Sequence, residues 1–198
     1  MTLLRVHVRA TAVSAVVVAA GRAAGGIVGG SSTALDGEAR PDGTIRVAGS
    51  ALWQAVLTAA GDAVTDLAEP PTGLAISAAP DSLVVWDEET LGCARPVVFS
   101  VPDLAAVVAA LASDELHTWS HLRSGRYVVG DVASYVVARL TRGIHHVTAG
   151  DWAAAGLLGA GLPSEALPAP AGAGPIGVSD PATFLGLALP VTLVTGPR

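Results

Sequence analysis

Two β-patterned segments followed by a helical segment restrict the fold of this chain more than any other feature of its sequence. Leu4, Val6 and Val8 alternate with charged or polar residues, and the β-branched run 16–18 follows a few positions later. Both patterns are typical of strands in a core sheet. Apolar residues then recur at helical spacing over 50–66. Strands followed by a helix, and then by more of both, predict an α/β or α+β domain.

The rest of the chain continues this mixture of strands and helices. Glycine, serine and aspartate predict a loop over 29–43, and Ser50 is predicted to cap the first helix. Further strands are predicted at 73–77, 82–86 and 97–99, and further helices at 103–112, 115–123, 132–140 and 152–158. Proline and glycine predict an irregular connection over 163–178, and the last stretch, 184–194, is strongly apolar.

Composition indicates one domain with a sizeable core. The chain has 198 residues, of which 51% are hydrophobic and 14% are charged, so a disordered chain is excluded. The net charge is −6, no arginine cluster is present and no lysine occurs. Nucleic-acid binding is therefore not expected, and chemistry that needs a lysine amine is excluded.

The cysteine content and the N-terminus bear on the compartment. The single Cys93 excludes an internal disulfide and fits a reducing, cytoplasmic location. An apolar run, 10–20, follows Arg5 and Arg9 and loosely resembles a signal peptide. The run is too short for a transmembrane helix, and its pattern favours strands, so no membrane association is expected.

Four short motifs are candidate sites, and none has a complete set of partners. Residues 25–32 resemble a glycine-rich phosphate loop without the lysine that a Walker loop requires, so a flexible connection is preferred. His117 and His121 have the spacing of a zinc pair on one helix face, but no third ligand is evident and surface histidines are preferred. The pair 145–146 and Cys93 lack a visible catalytic partner. No catalytic residue and no metal site are predicted.

The segments Gly73-Leu74-Ala75-Ile76-Ser77 and 82–92, with its Val84-Val85-Trp86-Asp87, resemble the N-terminal domain of FGGY-family carbohydrate kinases. This family includes glycerol kinase and xylulokinase. Further similar stretches follow in the family's order, at 51–56, 135–141, 146–148 and 161–168. The resemblance implies a ribonuclease-H-like, actin-like ATPase domain: an α/β fold whose mixed sheet carries helices on both faces. It implies a single shortened domain over 1–198.

The positions that carry function in the family differ in this chain. The family's first hairpin has an Asp that organises the metal and small residues that approach the phosphates; the matching positions are His7, Arg9 and Thr11. In the family's sugar-contacting stretch only Asp81 still offers a hydrogen-bond acceptor. The resemblance also implies that the chain ends, at Arg198, before the general base and the nucleotide-binding domain.

The resemblance therefore implies a catalytically inactive remnant, a pseudokinase, that binds no cofactor alone and serves as a binding or interaction module. A homo-oligomer or a protein partner is expected to use the apolar segment 184–194, and a sugar or polyol ligand is possible. The alternative is a split kinase, completed by a partner chain, that uses Mg·ATP to phosphorylate a carbohydrate. A decayed gene product with no selected function is the third interpretation.

Overall fold

The computed structural model describes residues 1–19, 26–149, 152 and 154–195. Within them, two large β-sheets, a two-stranded parallel sheet of β10 and β11, and the helices between and around them make up the fold. The strands are β1 (Thr2–Val8), β2 (Ala12–Ala19), β3 (Ile27–Ala34), β4 (Glu38–Ala39), β5 (Ile45–Val47), β6 (Gly73–Ala78), β7 (Ser82–Asp87), β8 (Val97–Phe99), β9 (Tyr127–Gly130), β10 (Val147–Thr148), β11 (Ala169–Pro170), β12 (Gly177–Val178) and β13 (Pro190–Leu193). The helices are α1 (Gly49–Val64), α2 (Leu104–Asp114), α3 (Leu116–Arg123), α4 (Val132–Leu140) and α5 (Ala154–Gly159), with a 3₁₀ turn at Ser164–Ala166.

The larger sheet is mixed and has the strand order β12-β13-β6-β1-β2-β3. Strands β1, β2 and β3 form an antiparallel meander, whereas β6 and β13 run parallel to β1. Leu4 of β1 lies beside Leu74 of β6, and Val6 lies beside Ile76, so one face of the sheet is continuously apolar and buried. Helices α1 and α4 contribute to the core on this face. The predicted α/β class with a mixed sheet is confirmed.

The second sheet, β4-β5-β8-β7-β9, is antiparallel, and its strands β7 and β8 are buried on both faces. Leu83 and Val85 face a cluster that includes α2, α3 and α5, whereas Val84 and Trp86 face the main core. Helix α4 contacts both β6 and β7. It therefore lies between the two sheets, which explains why eight of its nine residues are buried.

The predicted loop over 29–43 is wrong in its first part, because 29–34 belongs to β3, which pairs with β2. Glycine-rich sequence is compatible with a strand here because helix α1 approaches the sheet closely. A Cβ atom on Gly29 would overlap the carbonyl oxygen of Ala63 in α1. Glycine therefore allows close packing at this position and does not mark a loop. Gly25, the first residue of the phosphate-loop-like motif, lies outside the described residues.

Ser50 does not cap the first helix. Helix α1 begins at Gly49, and Ala48 is its N-cap residue, because the amide of Leu52 already donates a hydrogen bond to the carbonyl oxygen of Ala48 (3.0 Å). The start of the chain, which loosely resembles a signal peptide, forms β1 and β2. Among the described residues, no helix has the length and apolar character needed to cross a bilayer.

The apolar C-terminal segment 184–194 is largely part of the core. Phe184, Leu189 and Val191 are at most 5% exposed and belong to the main core cluster. Val191 lies in β13, which pairs with β6 and contacts α4. Only Leu185 and Val194 among its large apolar residues are substantially exposed. The connection before it, predicted as irregular, contains the 3₁₀ turn and the short strands β11 and β12.

Candidate functional site

The C-terminal ends of the parallel strands β1, β6 and β13 meet at one edge of the mixed sheet. The amide of Ala79 donates to the carbonyl oxygen of Val8 (3.1 Å), and the amide of Val194 donates to that of Ile76 (2.8 Å). These bonds continue the sheet just past the ends of β6 and β13. Ligands of open α/β sheets generally bind at the C-terminal ends of the strands, so a ligand site is expected at this edge.

A cavity of about 190 Å³ opens at this edge. Its lining is mostly apolar and is formed by Ala78, Pro80, Asp131, Ala133, Ala149, Trp152, Val194 and Thr195. Pockets for drug-sized ligands usually measure about 300–1,000 Å³. The cavity is therefore large enough only for a small molecule or for one end of a larger one.

Asp131 is the charged side chain in this lining and is only 7% exposed. It caps α4: its Oδ1 atom accepts a hydrogen bond from the amide of Ser134 (2.6 Å), and its Oδ2 atom accepts one from the hydroxyl of Thr148 (3.3 Å). Burial raises the pKa of the carboxyl group, although these hydrogen bonds oppose the shift. A buried carboxyl group with a raised pKa at the end of a strand can hold a hydroxyl ligand or accept its proton.

Trp152 also lines the cavity. Its indole Nε1–H group donates a hydrogen bond to the carbonyl oxygen of Pro80 (3.3 Å), and its side chain also packs into the cluster of α2, α3 and α5. The hydrogen bond fixes the ring to the turn between β6 and β7. An indole ring and a buried carboxyl group in one lining combine an apolar surface with a polar anchor, as small-molecule sites usually do.

The three predicted hairpin residues lie at the same edge but do not line the cavity. His7 is half-buried on the sheet face opposite Val6 and Val8, and its Nδ1 atom is hydrogen-bonded to the Ser77 hydroxyl (2.9 Å). Burial lowers the pKa of the His7 imidazole, and the positive charge of Arg9 lowers it further. Arg9 and Thr11 are exposed in the β1–β2 turn.

Asp81 is exposed in the turn between β6 and β7, next to the cavity-lining Pro80. Its carbonyl oxygen accepts a hydrogen bond from the amide of Val101 (2.9 Å), but its carboxylate does not line the cavity. The turn thus positions Asp81 at the edge where the hairpin also ends. The structure brings the predicted hairpin and sugar-site positions to one side of the sheet without joining them into one pocket.

The remaining motif residues are dispersed. The His117 and His121 rings meet edge to face on α3, 4.4 Å apart, and within the described chain no group of three or more potential ligands surrounds a metal position. His146 stacks on Trp86, whereas the His145 ring packs against Gly177.

Asp131 and Trp152 are absent from the site residues that the sequence predicted. The sequence offered a signal for Asp131. An acidic residue directly before a helix is a typical N-cap, because its side chain can accept a hydrogen bond from the amide three positions later, here that of Ser134. In the structure Asp131 also directly follows β9. For Trp152 the sequence offered no comparable signal, because its contact with Pro80 joins residues 72 positions apart.

No protein-family model and no curated protein match this chain, but several solved structures do. A xylulose kinase from Brucella ovis superposes with a TM-score of 0.78 at 17% identity, covering 97% of this chain and 48% of the kinase. Glycerol kinase from Plasmodium falciparum, solved with ADP, gives 0.76 at 10% identity, covering 98% and 48%. A xylulose kinase from Rhodospirillum rubrum gives 0.74 at 16% identity, covering 98% and 49%.

The chain therefore has the fold of about half of an FGGY-type carbohydrate kinase, consistent with the N-terminal domain of that family. The actin-like, ribonuclease-H-like fold that the resemblance implies is confirmed. The chain spans about half the length of the solved structures that it matches. At 10–17% identity the likeness extends to the fold alone.

Proposed function

We propose that this chain is a carbohydrate-kinase-like domain that does not transfer phosphate by itself and acts as a binding or interaction module. The observation that carries the proposal is the β1–β2 hairpin, where His7 is engaged by Ser77 and Arg9 adds a positive charge.

The hairpin is chemically unsuited to Mg²⁺. Magnesium is a hard cation that prefers carboxylate and water oxygens. His7, Arg9 and Thr11 offer an imidazole, a guanidinium group and a hydroxyl group in place of a carboxylate. Because the His7 Nδ1 atom is already hydrogen-bonded and the guanidinium group repels cations, a magnesium–nucleotide complex gains little binding energy here. Phosphoryl transfer relies on the metal and on the positioning that it provides.

Thermal unfolding of the full chain tests this proposal. Wild type is expected to show no shift in Tm with Mg·ATP. A ligand that binds would, at 100 times its Kd, add about 2.7 kcal/mol of stability, or roughly 5–10 °C in Tm. The double variant His7→Asp/Arg9→Gly supplies a matched comparison, because it returns a carboxylate and a small residue to the hairpin. A wild-type shift that requires Mg²⁺ and ATP together would overturn the proposal.

The cavity at Asp131 supports a second function, binding of a small polyol or sugar. Its volume fits a small ligand, and the Asp131 carboxyl group can hold a hydroxyl group against the Trp152 ring. In this reading the chain contributes the sugar side of a split kinase whose nucleotide side is on a partner chain. A panel of sugars and polyols, each added without nucleotide, is expected to raise the Tm of wild type but not of Trp152→Ala.

Partner binding completes the proposal. Two large apolar residues of the C-terminal segment are substantially exposed, Leu185 and Val194. They offer a second copy of the chain or a cytoplasmic partner protein a limited apolar contact. Light scattering at micromolar concentration tests self-association. A monodisperse monomer would argue against the homo-oligomer and leave a second protein as the partner.

A further inference from the structure

A second cavity, of about 420 Å³, lies at the N-terminal end of α1 and shares no lining residue with the first. It is lined by Ala48, Gly49, Ser50, Gly92, Cys93, Arg95, Pro96, Tyr135 and Arg139. Two of these residues are arginines and none is acidic. In a chain of net charge −6, a cavity whose charged side chains are both positive differs in sign from the chain as a whole.

Arg139 is held in place without a carboxylate partner. Its guanidinium group lies over the Trp53 ring, 4.9 Å from the ring centroid, and one of its nitrogens donates to the Leu91 carbonyl oxygen (3.3 Å). No acidic group of the described residues forms an ion pair with it. Because stacking and the hydrogen bond fix the planar group before any ligand arrives, less side-chain entropy is lost on binding.

Arg95 provides the second positive charge and has an unused donor. Its side chain is only 13% exposed, and one guanidinium nitrogen contacts the Glu115 carboxylate (3.3 Å). Its Nε–H group is buried and has no acceptor among the described residues. Arg95 also lines the neighbouring cavity that contains Glu115, so it adds a positive charge shared between the two cavities, and Arg139 is the cation without a carboxylate partner among the described residues.

The start of α1 adds backbone donors. This helix of 16 residues begins without a side-chain cap, and its first turn contains no acidic residue. The first amides of a helix have no acceptor within the helix, and the helix dipole favours an anion there. Gly49 keeps the approach tight, since a Cβ atom on it would overlap the Cys93 Sγ atom.

We propose that this cavity binds a phosphate group, carried by a small phosphate monoester. A phosphate has enough acceptor oxygens to meet two guanidinium groups and the α1 amides at once, and arginine–phosphate hydrogen bonds are charge-assisted. The volume exceeds that of the phosphate group alone, so it leaves room for a small organic part beside Tyr135 and Pro96. The inference does not depend on the proposed function, because the two cavities use different residues.

Backbone amide NMR on the full chain tests the site, with inorganic phosphate and phenyl phosphate titrated against chloride at equal ionic strength. Both phosphates are expected to shift the amide signals of Gly49 and Ser50 in a saturable way. Arg139→Gln is expected to weaken binding at least tenfold. The matched control Arg123→Gln removes an equal charge from an exposed position on α3 and is expected to leave the affinity within twofold.

Ala48→Asp tests the same idea without removing an arginine. An aspartate at the N-cap supplies an internal carboxylate to the α1 amides, so the variant is expected to unfold at a higher temperature and to lose phosphate binding. Unsaturable or dispersed amide shifts would overturn the proposal. So would equal weakening by Arg139→Gln and Arg123→Gln, or undiminished binding by Ala48→Asp.

Discussion

Replacing Asp131 separates the structural role of this residue from the effect of its charge. In wild type the carboxyl group accepts hydrogen bonds from the Ser134 amide and the Thr148 hydroxyl. In Asp131→Ala both donors lose their acceptor. Loss of an N-cap destabilises by about 1 kcal/mol, and a stranded buried hydroxyl adds about 1 kcal/mol or more. Relief of the buried charge offsets part of this, so the expected net loss is about 1–2 kcal/mol, or roughly 2–8 °C in Tm.

Asp131→Asn keeps the shape and removes the charge. The amide oxygen can still accept from the Ser134 amide, and the amide nitrogen can donate to the Thr148 oxygen. Because burial raises the pKa of Asp131 above its ordinary value of 3.8, the wild-type carboxyl contributes most to stability below that value. Its contribution is lost as the pH rises through the folded-state pKa. Relative to wild type, the asparagine variant is therefore expected to gain stability with rising pH.

Urea unfolding followed by tryptophan fluorescence, at about pH 4 and about pH 7, measures both effects. Asparagine is expected to match or exceed wild type at neutral pH, whereas alanine is less stable at both values. If asparagine at neutral pH is as destabilised as alanine, the charge itself stabilises the cap. The reasoning that burial disfavours this carboxylate would then be refuted.

Three further predictions concern other parts of the fold. The Trp86 indole N–H group donates a hydrogen bond to the Nδ1 atom of His146 (3.3 Å), and burial lowers the pKa of the His146 imidazole. The neutral imidazole therefore contributes fully to stability above about pH 6.5, and this contribution is lost as the pH falls through the folded-state pKa. His146→Phe is expected to flatten the acid side of a plot of the urea midpoint against pH. Gly29→Ala is expected to destabilise by about 1–3 kcal/mol through overlap with α1, whereas Gly30→Ala, where a Cβ atom would meet its nearest neighbour at 3.5 Å, should unfold like wild type. Phe184→Ala is expected to lose about 3–5 kcal/mol in chemical denaturation, and an effect as small as that of the exposed Leu185→Ala would show that the C-terminal segment is not part of the core.

The sequence by itself determined most of the secondary structure and the fold. Strands β6, β7 and β8 and helix α4 follow the predicted ranges closely, because short apolar runs between turn residues favour strands and a longer apolar run favours a helix. The resemblance at 73–92 implied the fold that the structural neighbours confirm. The unusual residues of the first hairpin, His7 and Arg9, were also evident from sequence, because position within a motif identified them without coordinates.

Only the tertiary structure decided where the cavities are and which residues line them. Asp131 depends on Thr148 for part of its hydrogen bonding, and Trp152 is fixed by Pro80 from far along the chain. The strand β3 also depends on distant contacts, since its glycines fit where α1 approaches the sheet. Phe184 is buried in the main core cluster, to which distant parts of the chain contribute. Local periodicity reports which face of an element is apolar, but it does not report which distant element covers that face, and burial, pKa shifts and cavities arise from that pairing.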